Sequence, residues 1–364
     1  MTSRQIAQFR LDCQQIAAAG APRSREPEAL PGDLVRSMGC VQAQDFAGAK
    51  WALAERIPGA TEADIDRAFQ DGKILRTHVL RPTWHFVSPS DIRWMLRLSA
   101  PKIKALSQGL HRKLGIDAAI LRRSKTIIGK SLAGGRMLTR TQLAAQLRKA
   151  RINTDDIRMA FLLMDAEIDG VICSGGREGK QFTYALLEER VVAAPALDKE
   201  EAVGELAARY FSTRGPATVY DFAWWSGLTI SLAQRGLEIY KRQLDHVIIR
   251  GQAYWFPAGK TPTRSRASVH LLPAYDEYTV AYRDRADVLP AAAAETTGHG
   301  IFRPVLVIDG QVAGTWKRKE VKQTIALEVH PLAPLGPKER RLLEAEAERY
   351  ARFTQKTLAA LELV

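Results

Sequence analysis

Three times along its 364 residues the chain runs from helical segments into two short strands joined by a turn. A recurring unit of this kind restricts the fold to small helix-plus-hairpin modules set in tandem. The first copy spans about 3–90. Ile6, Phe9, Leu11, Cys13 and Ile16 fall on or near one face of a helix over 3–19. Further helices are expected near 29–40 and 61–71, the last opened by Thr61 and Asp64 as a cap pair. ILRTHVL (74–80) and TWHFV (83–87) are β-branched and aromatic runs split by Arg81-Pro82, which is the pattern of a hairpin.

The second copy, about 137–190, has a basic helix at 139–150 and another at 154–170. A strand (170–173), a Gly-rich loop SGGREGK and a strand (181–187) follow. In the third, about 200–257, a helix ends at Gly215 and two more flank Gly227 as a helix-turn-helix. The strands LDHVIIR and AYWFP come next. Helices followed by a hairpin form the winged-helix pattern, in which one helix can enter a DNA groove beside a β wing. The remainder reads differently. Residues 269–285 and 302–319 are expected to be strand-rich, with Asp309-Gly310 as a hairpin turn and VKQTIALEV as a further strand. Residues 337–363 read as one long amphipathic helix packed across those strands. The expected fold is α+β: winged-helix units at 1–98, 99–198 and 199–260, then a β-rich part with a terminal helix at 261–364.

Charge narrows the partner. Lys plus Arg number 53 and Asp plus Glu 40, a net charge of +13. Such an excess favours a polyanion, nucleic acid before an anionic membrane. Cys13, Cys40 and Cys173 are scattered and odd in number, so neither a disulfide framework nor a structural zinc site is expected. No apolar run approaches the roughly 20 residues of a membrane span. A cytoplasmic, non-membrane, monomeric protein is the expectation.

Familiar catalytic signatures are missing: no nucleophile elbow, P-loop, zinc-protease motif or dinucleotide fingerprint. The seven histidines form no metal-like cluster in sequence, so no metal and no cofactor are expected. GGREGK (175–180) lacks P-loop spacing and reads as a wing loop, where Arg177 and Lys180 could reach phosphates. WKRKEVK (316–322) offers Lys317, Arg318 and Lys319 as further DNA contacts. One local pattern invites chemistry. In CVQAQDF (40–46), Gln42 and Gln44 would share a face if the segment is extended and diverge if it is helical. Each carboxamide offers one acceptor and two donor hydrogens, enough to orient a water without becoming charged. Asp45, next in line, could add electrostatic stabilisation or cap a helix, and the cap is expected.

Five segments in order resemble the AlkZ-type winged-helix DNA glycosylases: GCVQAQDFAGAKWAL (39–53), LRTHVLRPTWHFVSPSDIRWM (75–95), DFAWWSGL (221–228), LLPAYDEYTVAYRDR (271–285) and FRPVLVIDGQVAGTWKR (302–318). The resemblance implies three winged-helix units around a basic concave surface. It also implies excision of alkylated purines from double-stranded DNA, including bulky N7-guanine adducts and interstrand crosslinks. The family's glutamine–apolar–glutamine motif falls on Gln42-Ala43-Gln44, and the presence of Gln44 rather than aspartate points to the adduct and crosslink branch. No lysine is placed to form a Schiff base, so a monofunctional enzyme leaving an abasic site is implied. The alternative is a winged-helix DNA-binding regulator without catalysis. A protein that sequesters a genotoxin is a third class, disfavoured by only 7% aromatic residues with no clustering.

Overall fold

The computed structural model describes residues 1–16, 30–155, 157–261, 267–299 and 301–364. The architecture is α+β. The first region holds α1 (Ser3–Cys13), α2 (Leu30–Met38), β1 (Cys40–Gln42), α3 (Phe46–Ala54), α4 (Glu62–Gln70), β2 (Leu75–Val79) and β3 (Thr83–Val87). Helix α1 stops at Cys13, short of the expected 19, and Gln15 turns to φ 57°; residues 17–19 and 29 lie outside the described residues. Thr61 and Asp64 cap α4 reciprocally, as their spacing implies. β2 and β3 form the expected hairpin, and β1 joins the free edge of β3 in the order β1-β3-β2.

The second region holds α5 (Ile92–Lys113), α6 (Ala118–Leu132), β4 (Leu138–Thr139), α7 (Arg140–Lys149), α8 (Arg158–Ile168), β5 (Ile172–Glu178), β6 (Gln181–Leu186) and α9 (Leu187–Arg190). Here the expected loop at 174–180 is corrected: β5 runs on to Glu178 and only Gly179-Lys180 turn. The glycines serve close packing. A Cβ at Gly176 would lie 2.4 Å from the Gln70 amide, and one at Gly175 would lie 2.4 Å from Thr183 Oγ1.

α10 (Lys199–Arg214), α11 (Val219–Ser226), α12 (Ile230–Tyr240), β7 (Leu244–Ile249) and β8 (Gln252–Pro257) make the third region. Gly227 caps α11 at φ 70°, the left-handed geometry a helix-turn-helix turn asks of glycine.

The last region holds β9 (Val269–Leu272), α13 (Glu277–Val280), β10 (Val305–Ile308), β11 (Gln311–Val321), β12 (Thr324–Pro331), α14 (Pro337–Thr354) and β13 (Thr357–Leu363). Its five-stranded sheet has the order β13-β12-β11-β10-β9. Two expectations are overturned. Residues 273–285 are not strand. The Asp276 carboxylate accepts the Tyr278 N–H at 2.7 Å and starts the short helix α13. The single helix over 337–363 ends at Gln355, in left-handed geometry, and the chain then pairs parallel with β12. The open edge of β12 offers that tail a full ladder, which outweighs the helix preference of Ala, Leu and Glu.

Trp51 of α3 packs on Tyr350 and Phe353 of α14, with ring centroids 4.8 and 5.0 Å away, and donates its Nε1–H to the Leu271 carbonyl at 2.6 Å. The first and last regions thus share one core. A second core packs α5, α10 and α11 against β2 and β3. Strand β1 is wedged between them: Val41 belongs to the first and Cys40 to the second. That wedge fixes the position of the residues that follow.

Candidate active site

Strand β1 ends at Gln42, and the glutamine–apolar–glutamine segment leaves the sheet there. Three successive backbone groups are tied. The Gln42 N–H donates to Glu277 Oε1 at 2.8 Å. The Ala43 N–H donates to the Trp84 carbonyl at 2.8 Å. The Ala43 carbonyl accepts from Arg76 Nε at 3.0 Å. Gln42 is buried and Gln44 is exposed. Gln44 Oε1 accepts the Trp84 N–H at a long 3.4 Å, so its amide nitrogen stays available.

Glu277, at the start of α13, is the hub beneath the motif. Its Oε2 accepts from Arg214 Nε at 2.9 Å, Arg214 Nη2 at 2.7 Å and Trp225 Nε1 at 2.9 Å. Burial pushes the Glu277 pKa up, and the Arg214 charge together with the hydrogen bonds from Arg214 and the Gln42 N–H more than offsets it, holding the carboxylate below its ordinary range. Arg214 also donates to the Met38 and Cys40 carbonyls, both at 2.8 Å. Neither residue stands out as functional in the sequence. Glu277 lies within the resembling segment 271–285, but Arg214 carries no local signal.

Across the sheet, Gln42 pairs with His85 and His85 with Thr77. Directly opposed residues share a face. All three are buried, and Gln42 Oε1, His85 Nε2 and Thr77 Oγ1 have no hydrogen-bond partner among the described residues. His85 Nδ1 lies 2.9 Å from the Thr83 carbonyl. A carbonyl only accepts, so Nδ1 carries the hydrogen and Nε2 presents a bare lone pair. Burial, reinforced by the Arg81 charge, pulls the His85 pKa down to about 4, so the ring is neutral at pH 7.

Asp45 occupies the N-cap position of α3, but its side chain makes no capping hydrogen bond, which corrects its expected role. Its carboxylate lies over Gly48, where a Cβ would come within 2.8 Å of Oδ2. Arg76 stacks on Trp84 and Phe182, with its guanidinium carbon 4.2 and 4.8 Å from the ring centroids. Burial lowers its pKa to about 10, against the opposing charge of Glu167.

The proposed DNA contacts lie in different surroundings. Arg177 is half-buried near the end of β5 and packs over Phe46 and Phe182 at 5.5 and 5.4 Å. Arg318 pairs with Glu320 at 3.3 Å and feels the Asp45 charge, and Lys317 pairs with Glu328 at 3.3 Å. Lys180 and Lys319 are exposed. Among the described residues one group has metal-ligand spacing, the buried Glu55, His270 and Glu346. It lies in the core shared with α14, and Arg349 already sits 3.1 Å from Glu55 and 3.3 Å from Glu346.

Residues 35–353 match the family model described as DNA glycosylase AlkZ-like. An interstrand DNA cross-link repair glycosylase of Streptomyces sahachiroi is 24% identical over 314 residues, covering 80% of this chain and 84% of that protein. The solved structure of Streptomyces sahachiroi DNA glycosylase AlkZ shares the fold, with a TM-score of 0.77 over 100% of both chains at 22% identity.

Proposed function

Because the chain belongs to the AlkZ-like family of DNA glycosylases, we propose that it hydrolyses the N-glycosidic bond of alkylated purines in double-stranded DNA, N7-alkylguanine above all, and leaves an abasic site. Interstrand crosslinks through N7 are the same chemistry on a larger lesion, and the Streptomyces sahachiroi relative is named for repairing them. N7-alkylation makes guanine cationic. When the C1′–N9 bond breaks, its electron pair neutralises the base, so no general acid is needed. What remains is to hold a water at C1′ and to steady the positive sugar. Gln42 and Gln44 orient that water, which bonds to C1′ and releases its proton to solvent. Positioning with weak base assistance contributes about 10²–10⁴-fold. The uncapped Asp45 carboxylate adds negative charge beside the sugar. Lys50, the nearest lysine in sequence, is committed to Glu62 at 2.7 Å and Asp66 at 2.9 Å, in keeping with hydrolysis without a Schiff base.

The observation that carries this assignment is the lattice of ties on the motif backbone, from Glu277, Trp84 and Arg76, around an otherwise modest Gln-Ala-Gln. A segment held this rigidly can present two carboxamides without reorganisation. An open groove suits bulky lesions better than a closed flipping pocket. The same reading takes 1–98, 99–198 and 199–260 as winged-helix units and 261–364 as a β-rich part, with the protein acting as a monomer on DNA in the cytoplasm.

Duplex DNA carrying N7-methylguanine, incubated with the protein and then heated in alkali, tests the proposal. Strand breaks at the lesion above the protein-free background are expected, with no excess over that background when Gln42 and Gln44 are both changed to alanine. Binding without breaks would point instead to a regulator. Undiminished breaks in the double variant would remove the two glutamines from the chemistry.

A further inference from the structure

Three of the segments that carry the family resemblance meet where the catalytic reading makes no use of them. Arg81 sits at the β2–β3 turn, Trp224 on α11, and Arg285 just beyond α13. The Arg81 guanidinium carbon lies 5.8 Å from the Trp224 ring centroid and that of Arg285 lies 5.7 Å from it. Trp224 is 43% exposed, although its Nε1–H donates to the Val280 carbonyl at 3.2 Å. Arg285 Nε donates to the Thr279 carbonyl at 2.7 Å. Arg285 Nη2 and Arg81 Nε have no hydrogen-bond partner among the described residues, and neither guanidinium forms an ion pair there.

Two half-buried cations thus share one indole, with the carboxylates of Asp221, Asp284 and Glu277 only partly offsetting burial. Burial and the Arg81 charge both lower the Arg285 pKa. An anion at the half-exposed edge of the two guanidinium groups would offset their like charge, and guanidinium–phosphate pairing is the strong form of that contact. The arrangement is also held in place. Gly227 brings the helix turn against the hairpin tip, where a Cβ would stand 2.7 Å from the Leu80 carbonyl. Helix α13 links the cluster to the motif. Glu277 at its start holds Gln42, while Thr279 and Val280 near its end hold Arg285 and Trp224. One short helix therefore joins the cluster to the motif, about 6 Å of helix plus the side chains that reach from its two ends.

We propose that Arg81 and Arg285, seated on Trp224, form a binding site for one backbone phosphodiester of the damaged strand, next to the nucleotide being excised. The inference rests on the glycosylase reading for its ligand, but equilibrium binding tests it without any turnover. Lesion duplexes with a single neutral methylphosphonate at successive positions are titrated with the wild-type protein, then with Arg81→Met, Arg285→Met and the double variant. One position flanking the lesion is expected to weaken wild-type binding about tenfold, the scale of one charge-assisted contact. The Arg285→Met protein loses sensitivity at that position, and its log–log salt slope falls by about 0.9. Because both arginines share one phosphate, the double variant loses no more than that. A flat wild-type scan, which needs no variant, overturns the proposal. So does an Arg285→Met protein that keeps the wild-type sensitivity, or a double variant whose slope falls by about 1.8. Failure of the catalytic reading looks different: the Gln42 and Gln44 double variant would keep excising the base whatever this scan shows.

Discussion

Gln42 faces His85 directly across the β1–β3 pair, and each keeps a buried side-chain acceptor, Oε1 and Nε2, without a partner among the described residues. Since His85 Nδ1–H is committed to Thr83, Nε2 can only accept. A carboxamide's oxygen and nitrogen exchange places by a half-turn. The expectation is that this turn lets the Gln42 NH₂ group donate to His85 and leaves its oxygen to accept from water. His85→Phe removes the acceptor and frees the amide to rotate. Single-turnover excision is expected to slow about tenfold, the cost of about one hydrogen bond, with duplex affinity unchanged. His85→Gln, which can still present an acceptor, is expected to recover part of the rate. Excision by His85→Phe at the wild-type rate would show that the ring only fills space.

The same histidine makes the fold acid-sensitive. Its folded pKa, about 4, is below the ordinary 6.5. Between those values the unfolded chain binds the proton that the native state refuses. The contribution is therefore complete above pH 6.5 and is lost as pH falls toward 4, by about 3 kcal/mol over the window. Urea denaturation at pH 7, 5.5 and 4.5 is expected to show this decline, and His85→Phe to flatten it. An equally steep decline in the variant would assign it to other groups.

Glu277 and Arg214 are both fully buried, and each is the other's counter-charge. Breaking such a pair leaves a buried charge uncompensated, at a cost of about 3–5 kcal/mol. Glu277→Gln is expected to lower unfolding free energy by about 3 kcal/mol, since the amide still accepts one hydrogen bond but leaves Arg214 unneutralised. Excision should fall further than stability alone explains, because the Gln42 N–H loses its charged anchor. A variant as stable as the wild type in chemical denaturation would mean that water or another carboxylate takes over Arg214.

Local signals were legible in the sequence where the cause was local. Thr61 with Asp64, Gly227 and Asp309-Gly310 all mark features that their own side chains or backbone angles produce. Helix α3 was not legible: FAGAKWALA is buried from Gly48 to Ala54, so no amphipathic period marks it. Strand β13 was hidden because its residues favour helix and its pairing partner is supplied by β12. The Gln-Ala-Gln motif could be read, but its asymmetry could not. Gln42 is buried because β1 is wedged between two cores, while Gln44 is beyond the strand's end. Arg214 meets Glu277 across 63 residues of sequence, a contact that no local pattern encodes.

The Glu55–Glu346 pair that joins α3 to α14 titrates in the opposite sense to His85. Burial would raise the Glu55 pKa, but the Arg349 charge together with hydrogen bonds from His270 and Glu346 more than offsets it and brings it down to about 2. Burial and the Glu55 charge push Glu346 well above its ordinary range, so it keeps its proton in the folded protein. Above pH 4.5 the native state therefore holds a proton that the unfolded chain releases, and stability falls as pH rises until Glu346 ionises. Glu346→Gln keeps the shape and a donor while removing that proton requirement. The variant should match the wild type near pH 4.5 and exceed it by about 1–2 kcal/mol at pH 8, a modest gain because Arg349 gives up one partner. Urea melts at the two pH values measure the difference. A variant less stable than the wild type at pH 8 would mean that Glu346 is ionised in the fold and shares Arg349 with Glu55 as a second anion.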